Sequence, residues 1–318
     1  MWIDGKSEVK YLIVFRHDIL KARRVSNIAL QRLRSFITHN EGELIAFLHT
    51  LWNYQGQAIT YKELREAILY GGLQEELIQE WQKDYARFVI DKLLPKWQQA
   101  MKEANEDLYR KFPDYYFNPM QEGVVKWNQT RAAAFVTNET GITIQGLRAV
   151  IQRATELNDL SVDELGRVIR PMVGLNHRQT VANLNYYNKM IENGVKADKA
   201  LEKAKIYAAR QHRYRGQMIA RTELAFSYNS GAYLGTKQAQ EQGLLGRCVK
   251  VWCTAATERT CDVCRALEGT EKEMDELFEF ETRLTDPLVK LSGIAHPHCM
   301  CTIIYKEVEP PAPRFELV

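Results

Sequence analysis

The sequence predicts a mainly α protein: an elongated multi-helix body that ends in a small α+β module of the Cys/His, zinc-binding type. Three observations carry this. Apolar residues recur at helical spacing through most of the chain up to residue 242. After Gly243 the period changes to two, and Cys248-Val249-Lys250-Val251-Trp252 reads as a strand. Cys261 and Cys264 then form a C-x-x-C knuckle, and His296, His298, Cys299 and Cys301 gather about thirty residues further on.

Composition is that of a globular chain. Of 318 residues, 45% are hydrophobic and 26% charged, which excludes a disordered polyelectrolyte and favours two or three domains. A net charge of +3 does not by itself point to nucleic acid, so any basic surface must come from local clustering. The N-terminus lacks a basic stretch followed by an apolar core, so no secretory leader is expected. The run Tyr11 to Phe15 is far too short to span a bilayer. A cytoplasmic, reducing setting follows as the expectation, and there clustered cysteines are more often metal ligands than disulfides. Cys248 and Cys253 read as small buried hydrophobes.

The elements follow in order. Leu44, Phe47, Leu48 and Leu51 mark the apolar stripe of a helix that is expected to end at Gln55-Gly56. Thr60 and Glu63 form a capping box for the next helix, which Gly71-Gly72 should close. Leu77, Trp81, Tyr85 and Phe88 line a longer helix, continued by Leu93, Leu94 and Trp97, with Pro95 predicting a kink or a boundary. Aromatics at this spacing are core rather than a binding surface. The stretch from Phe112-Pro113 to Asn118-Pro119 stops the helices and is taken as a domain boundary. Val124 to Asn138 resumes a helix that Gly141 should terminate, and Leu147, Val150, Ile151 and Ala154 line another. Ser161 and Glu164 read as a second capping box whose helix ends before Gly174, and Asn176 caps a helix that runs to Asn193-Gly194. Residues 197–242 form one long helix with Gly216, Gly231 and Gly235 inside it, predicting close packing or a bend. The strand at 248–252 should pair antiparallel with Cys301-Thr302-Ile303-Ile304-Tyr305, bringing the two cysteine clusters to one end. The expected partition is residues 1–115, 116–243, 244–308 and a Pro-rich tail at 309–318.

Thiolates and imidazoles in two close clusters suit a tetrahedral zinc ion that closes a loop-rich module with little core of its own. The candidate ligands are Cys261, Cys264, His296, Cys299 and Cys301. Four suffice, so one is spare, and an all-cysteine set would leave His296 as a cap on the knuckle. Packed thiols or disulfides are the competing readings. Lys199, Lys203, Arg210 and Arg213 on the long helix, and Lys250 on the strand, are candidate DNA contacts; a basic helix face of this kind either meets phosphate or is simply solvated. Arg259 and Arg265 of the knuckle are further candidates for phosphate.

Residues 213–231, R-Y-R-G-Q-M-I-A-R-T-E-L-A-F-S-Y-N-S-G, precede K-V-W-C-T-A, T-C-D-V-C-R-A-L-E-G and H-P-H-C-M-C-T-I. In this order they resemble the head morphogenesis domain of tailed phages, the minor head proteins named after the phage Mu F protein. G-L-N-H-R-Q at 174–179 resembles the start of the family's first helix, and the resemblance covers roughly residues 165 to 307. It implies a structural role rather than catalysis: a minor capsid protein inside the virion at the portal vertex, with portal protein, major capsid or scaffold protein and packaged DNA as partners, and no membrane. The motif residues Arg221 and Glu223 are expected to tie the long helix to the module, Asn229 and Gly231 to let the module approach the helix, and Trp252 to anchor its core. His298 and Met300 stand where the family commonly has asparagine and arginine. H-E-x-x-H, H-x-E with P-C-x-x-C, and the P-loop are all absent, so no enzyme is expected. The enzymatic alternative is a zinc-stabilised nuclease, with His298 as base and Glu258, Asp262 and Glu268 on a second metal; a zinc-stabilised DNA-binding module is the other.

Overall fold

The structure, a computed structural model, describes residues 5–70, 73–157, 162–254, 258, 260–284, 286 and 288–310. The stops expected at Gly71-Gly72, the Ser161 cap, Arg259 and the tail beyond Pro310 lie outside them. In chain order come α1 (Gly5–Ala58), α2 (Tyr61–Tyr70) and α3 (Glu75–Phe88), then a π turn at Val89–Leu93 and α4 (Leu94–Glu103). After these come α5 (Glu106–Lys111), α6 (Glu122–Leu157) and α7 (Val162–Ile169), which runs into a 3-10 turn at Arg170–Met172. Next are α8 (His177–Glu192), α9 (Ala197–Glu241), β1 (Arg247–Cys253), α10 (Asp262–Leu267), β2 (Glu271–Glu273), α11 (Val289–Ser292) and β3 (Thr302–Glu309). The chain is mainly α with one small C-terminal sheet, as expected.

Several caps form as read. Thr60 Oγ1 accepts from the Glu63 amide at 3.2 Å while Glu63 answers at the Thr60 amide. Asn176 and Gln179 make the same reciprocal pair at the start of α8. Gly194 ends that helix with φ of 75°. At Pro95 the missing N–H is accommodated by the π turn just before it, so the segment continues instead of breaking.

Two expected stops are not stops. Gly56 lies inside α1, where a Cβ would overlap the carbonyl of Arg170, so this glycine serves close packing. Gly141 lies inside α6, with nothing within 4 Å of where its Cβ would stand. Its cost of about 1 kcal/mol relative to alanine is outweighed by the buried apolar residues on either side of it, such as Phe135 and Leu147.

The chain divides into two compact units that interleave along the sequence, and they do not coincide with the linear partition at 115 and 243. α1 and α9 each contribute residues to both. One unit comprises residues 40–96 and 121–220. Its core gathers Leu77 and Trp81 of α3, Leu147 and Val150 of α6, Leu184 and Tyr187 of α8, and the Ala200, Ala204 and Ala208 stripe of α9. Within it Arg215 is buried and ion-paired to Glu139 at 2.6 Å.

The other unit comprises residues 1–39, 97–120 and 221–318. Its three-stranded antiparallel sheet has the order β2-β1-β3, with Trp252 opposite Ile303 and Cys253 opposite Thr302. The β1–β3 pairing is the expected one. β2 escaped notice because Glu271-Lys272-Glu273 carries no apolar alternation. β3 also runs on to Glu309, the first residue assigned to the tail, and its last four residues lie exposed at a sheet edge. Gly231 and Gly235 let α9 approach α4 and the Asn105 turn: a Cβ on the first would overlap the Met101 backbone, and on the second the Asn105 side chain. Asn105 Nδ2 in turn donates to the Gly231 carbonyl at 3.0 Å.

Candidate metal centre

Hydrogen bonding and backbone conformation bring the two clusters together. Cys261 is the N-cap of α10, and its Sγ accepts from the Cys264 amide at 3.4 Å, the local turn that a C-x-x-C spacing permits. Pairing of β1 with β3 places Cys301 next to this knuckle. A turn closed by the Cys299 amide on the His296 carbonyl, 3.0 Å, folds the H-P-H-C segment back on itself. His298 sits in it at φ of 65°, the left-handed region in which asparagine is the best-tolerated side chain after glycine. An asparagine, which the resemblance implies for this position, would suit that backbone geometry without acting as a ligand.

Five side chains converge as two triads that share Cys264: Cys261, Cys264 and His296, and Cys264, Cys299 and Cys301. His296 Nε2 lies 3.2 Å from Cys261 Sγ and 3.3 Å from Cys264 Sγ, and Cys264 Sγ lies 3.8 Å from Cys299 Sγ. For metal–sulfur bonds of about 2.3 Å, the edge of a tetrahedron is about 3.8 Å, and slightly less where nitrogen replaces sulfur. Within each triad the spacings suit pairs of ligands round an ion, and the 3.8 Å between Cys264 and Cys299 Sγ is far too long for a disulfide. No disulfide links the described cysteines.

The imidazole is set for ligation. His296 Nδ1 is 2.8 Å from the Pro297 carbonyl, to which only an N–H can donate. The proton therefore sits on Nδ1, and the Nε2 lone pair faces the sulfurs. Among the inner thiols, hydrogen bonds from Cys264 and Cys301 hold Cys299 well below the usual thiol range. Donation to Cys299 pushes Cys264 up. Cys301 also rises: the pull of Cys264 is outweighed by Cys299 and by burial. One negative charge shared among three buried sulfurs is what a divalent cation would relieve, by drawing off the remaining protons. The donor set fits zinc or another thiophilic ion.

α9 holds this cluster through side chains that donate to, or accept from, its backbone. Asn229, fully buried, donates from Nδ2 to the carbonyls of Gly293 (3.2 Å) and Cys301 (3.0 Å), and its Oδ1 accepts from Thr302 Oγ1 at 2.9 Å. Thr222 Oγ1 accepts from the His298 amide at 3.1 Å, and Ser230 bonds Ser292 at 3.0 Å. Thr222 and Asn229 supply these ties; Glu223 is buried and Arg221 half-buried on the same helix. Gly231 does not serve the module as expected; its close neighbour is Met101. Trp252 is fully buried, edge-on to Phe278 and Phe280 at 5.1 and 5.6 Å, as a core anchor should be.

The other candidates fare differently. Lys250 is not a DNA contact. It is fully buried, its Nζ donates to the carbonyls of Met274 (3.0 Å) and Leu291 (3.1 Å) over the Phe278 ring, and burial lowers its pKa to about 8. Its alternation in the strand signalled an inward position, and its charge hid this. Lys199, Lys203, Arg210 and Arg213 are exposed on α9. Arg265 is exposed and paired with Asp262 at 3.2 Å. Glu268 accepts from the Thr254 amide, so it and Asp262 are engaged separately, and no metal-sized group of carboxylates occurs among the described residues.

A long buried helix that hydrogen-bonds a Cys/His cluster at the end of a small antiparallel sheet defines a helix-supported Cys/His module. Residues 184–304 match the family described as Phage Mu protein F like protein, so this part of the chain is similar to that phage family. No curated protein and no solved structure matches the chain. No described helix is long and apolar enough to cross a membrane.

Proposed function

We propose that the protein is a structural minor capsid protein of a tailed phage or prophage, acting inside the head at the portal vertex during capsid assembly and DNA packaging or ejection. Its partners are then the portal protein, the major capsid or scaffold protein, and the packaged duplex. It is read as a non-enzyme, since its chemistry-bearing side chains are thiols and an imidazole arranged for structural ligation rather than round an open coordination position. The exposed Lys199, Lys203, Arg210 and Arg213 are the residues through which it would touch DNA.

The Cys/His centre is proposed to hold one structural zinc ion on four of Cys261, Cys264, His296, Cys299 and Cys301, with Cys264 common to both triads. The observation that carries this is the convergence of two ligand triads on Cys264, with 3.2 and 3.3 Å from His296 Nε2 to the Cys261 and Cys264 sulfurs and 3.8 Å from Cys264 to Cys299 Sγ. Bound metal would neutralise the thiolates and fix the turn between His296 and Cys301. The head assignment rests on the family match and on the position of the centre within it. It is tested by fractionating particles from a host that carries the phage, with immobilised portal protein as bait in parallel. The protein is expected in purified heads and on the portal. Absence from both would refute the assignment. DNA mobility shifts that weaken with salt and leave the DNA uncut support the contact through α9, whereas metal-dependent cleavage would favour the nuclease.

A further inference from the structure

A cavity of about 700 Å³ lies within the unit of residues 40–96 and 121–220, remote in sequence from the Cys/His centre. Three helical segments wall it. α1 supplies His49, Asn53 and Gly56, spaced four and three apart and so on one face. The end of α7 and its 3-10 turn supply Arg167 and Arg170, and α9 supplies Lys205 and His212, seven apart. The Gly56 contact with the Arg170 backbone sets how closely the first two walls approach.

The electrostatics are one-sided. Arg167, Arg170 and Lys205 line the cavity, and among the described residues no aspartate or glutamate does. Among the described residues neither Arg167 nor Lys205 makes an ion pair, and Arg170 spends one nitrogen on the Ile59 carbonyl at 3.0 Å. Arg213 adds its field at His49. Both histidines are kept neutral at physiological pH. Burial, then Arg213, lowers His49, and burial brings His212 to about 4. His212 is fixed by its 2.7 Å bond to the Val173 carbonyl and by stacking on Trp52 at 5.2 Å. The cavity therefore has a rigid aromatic floor, neutral imidazole hydrogen-bonding groups and a rim of permanent cations. Two guanidinium groups three residues apart can each offer paired donors to an oxyanion.

We propose that this cavity binds a ligand carrying more than one phosphate group, with Arg167, Arg170 and Lys205 as its charge partners. Like charges gathered round one concavity repel one another, and a polyanion removes that repulsion. The volume exceeds what a single phosphate fills, which is why a run of phosphates is specified. The phosphates come either from a small polyphosphate or from the backbone of a nucleic acid, and the site is independent of whether the Cys/His centre holds zinc.

The test is calorimetric titration of the full chain with inorganic tripolyphosphate, and separately with a short DNA duplex, followed by competition between the two. Wild type is expected to bind tripolyphosphate, and Arg167→Gln/Lys205→Gln to bind it about tenfold or more weakly. Both altered side chains are exposed, and matching circular dichroism melts exclude unfolding as the cause. Lys205→Glu alone, also exposed, should weaken binding further than Lys205→Gln. A duplex that displaces tripolyphosphate identifies the nucleic-acid source, and one that does not identifies the small ligand. Failure of both probes to bind, or equal affinity in the variants, would overturn the proposal.

Discussion

Replacing Asn229 by aspartate keeps the shape of the side chain and reverses one of its ends. In the native chain Nδ2 is the donor for two buried carbonyls, those of Gly293 at 3.2 Å and Cys301 at 3.0 Å. In Asn229→Asp a carboxylate oxygen would face both, at a position fully buried from solvent. Each buried acceptor left without a donor costs about 1–3 kcal/mol, so the pair predicts a loss of about 2–6 kcal/mol. The carboxyl escapes part of this by staying protonated, since an O–H can still serve one carbonyl, so its folded-state pKa is expected to rise above the ordinary value of about 3.9. A raised carboxyl pKa means that the stabilising, protonated form is complete below the unfolded value and is lost as pH rises through the folded one. The variant should therefore come closest to wild type in acid and fall away toward neutrality. The assay is urea denaturation at several pH values, combined with the rate at which a thiol reagent reaches Cys264, Cys299 and Cys301, all buried in the native chain. A variant within about 0.5 kcal/mol of wild type, with thiols equally protected, would refute the view that this side chain fastens the Cys/His centre to α9.

Further expectations follow from single positions. Lys250 has a folded-state pKa of about 8, below the unfolded value of about 10.4, so burial penalises its charge fully below the lower value and the penalty fades as pH rises toward the higher. The stability difference between wild type and Lys250→Met should accordingly shift in favour of wild type across that window, as read by denaturation at each pH. His298→Asn should leave stability and metal content unchanged, whereas His298→Ala should cost about 1 kcal/mol, because the left-handed φ of 65° disfavours alanine; thermal melts separate the two. Gly141→Ala should stabilise by about 1 kcal/mol, since its Cβ would meet nothing within 4 Å, while Gly231→Ala should destabilise by about 2 kcal/mol or more through overlap with the Met101 backbone.

The contrast between those two glycines shows what the sequence could carry. Helical stripes such as Leu77, Trp81, Tyr85 and Phe88 were readable because each helix buries one face whatever it packs against. The caps at Thr60 and Asn176 were readable because the partner lies three residues away. The Cys/His candidates were readable because ligand chemistry needs few residue types, and all five arrive together. What failed depended on partners distant in sequence. Gly56 ends nothing because Arg170 presses against it, and Gly231 faces Met101 rather than the module. Lys250 reads as a phosphate contact because charge suggests the surface; two carbonyls and an aromatic ring make its burial tolerable. Asn229 was singled out by motif, but its three hydrogen bonds appear only once Gly293, Cys301 and Thr302 are folded beside it. The orientation of His296, set by the carbonyl of the next residue, carried no sequence signal at all.

The most direct test of the proposed centre is metal content by mass spectrometry on protein purified under reducing conditions without chelator, for wild type and for Cys261→Ser/Cys264→Ser. The account predicts about one zinc per chain in wild type, lost in the variant together with protection of the remaining cluster thiols. Metal-free wild type with those thiols still protected would contradict it, and the cluster would then be a set of packed thiols.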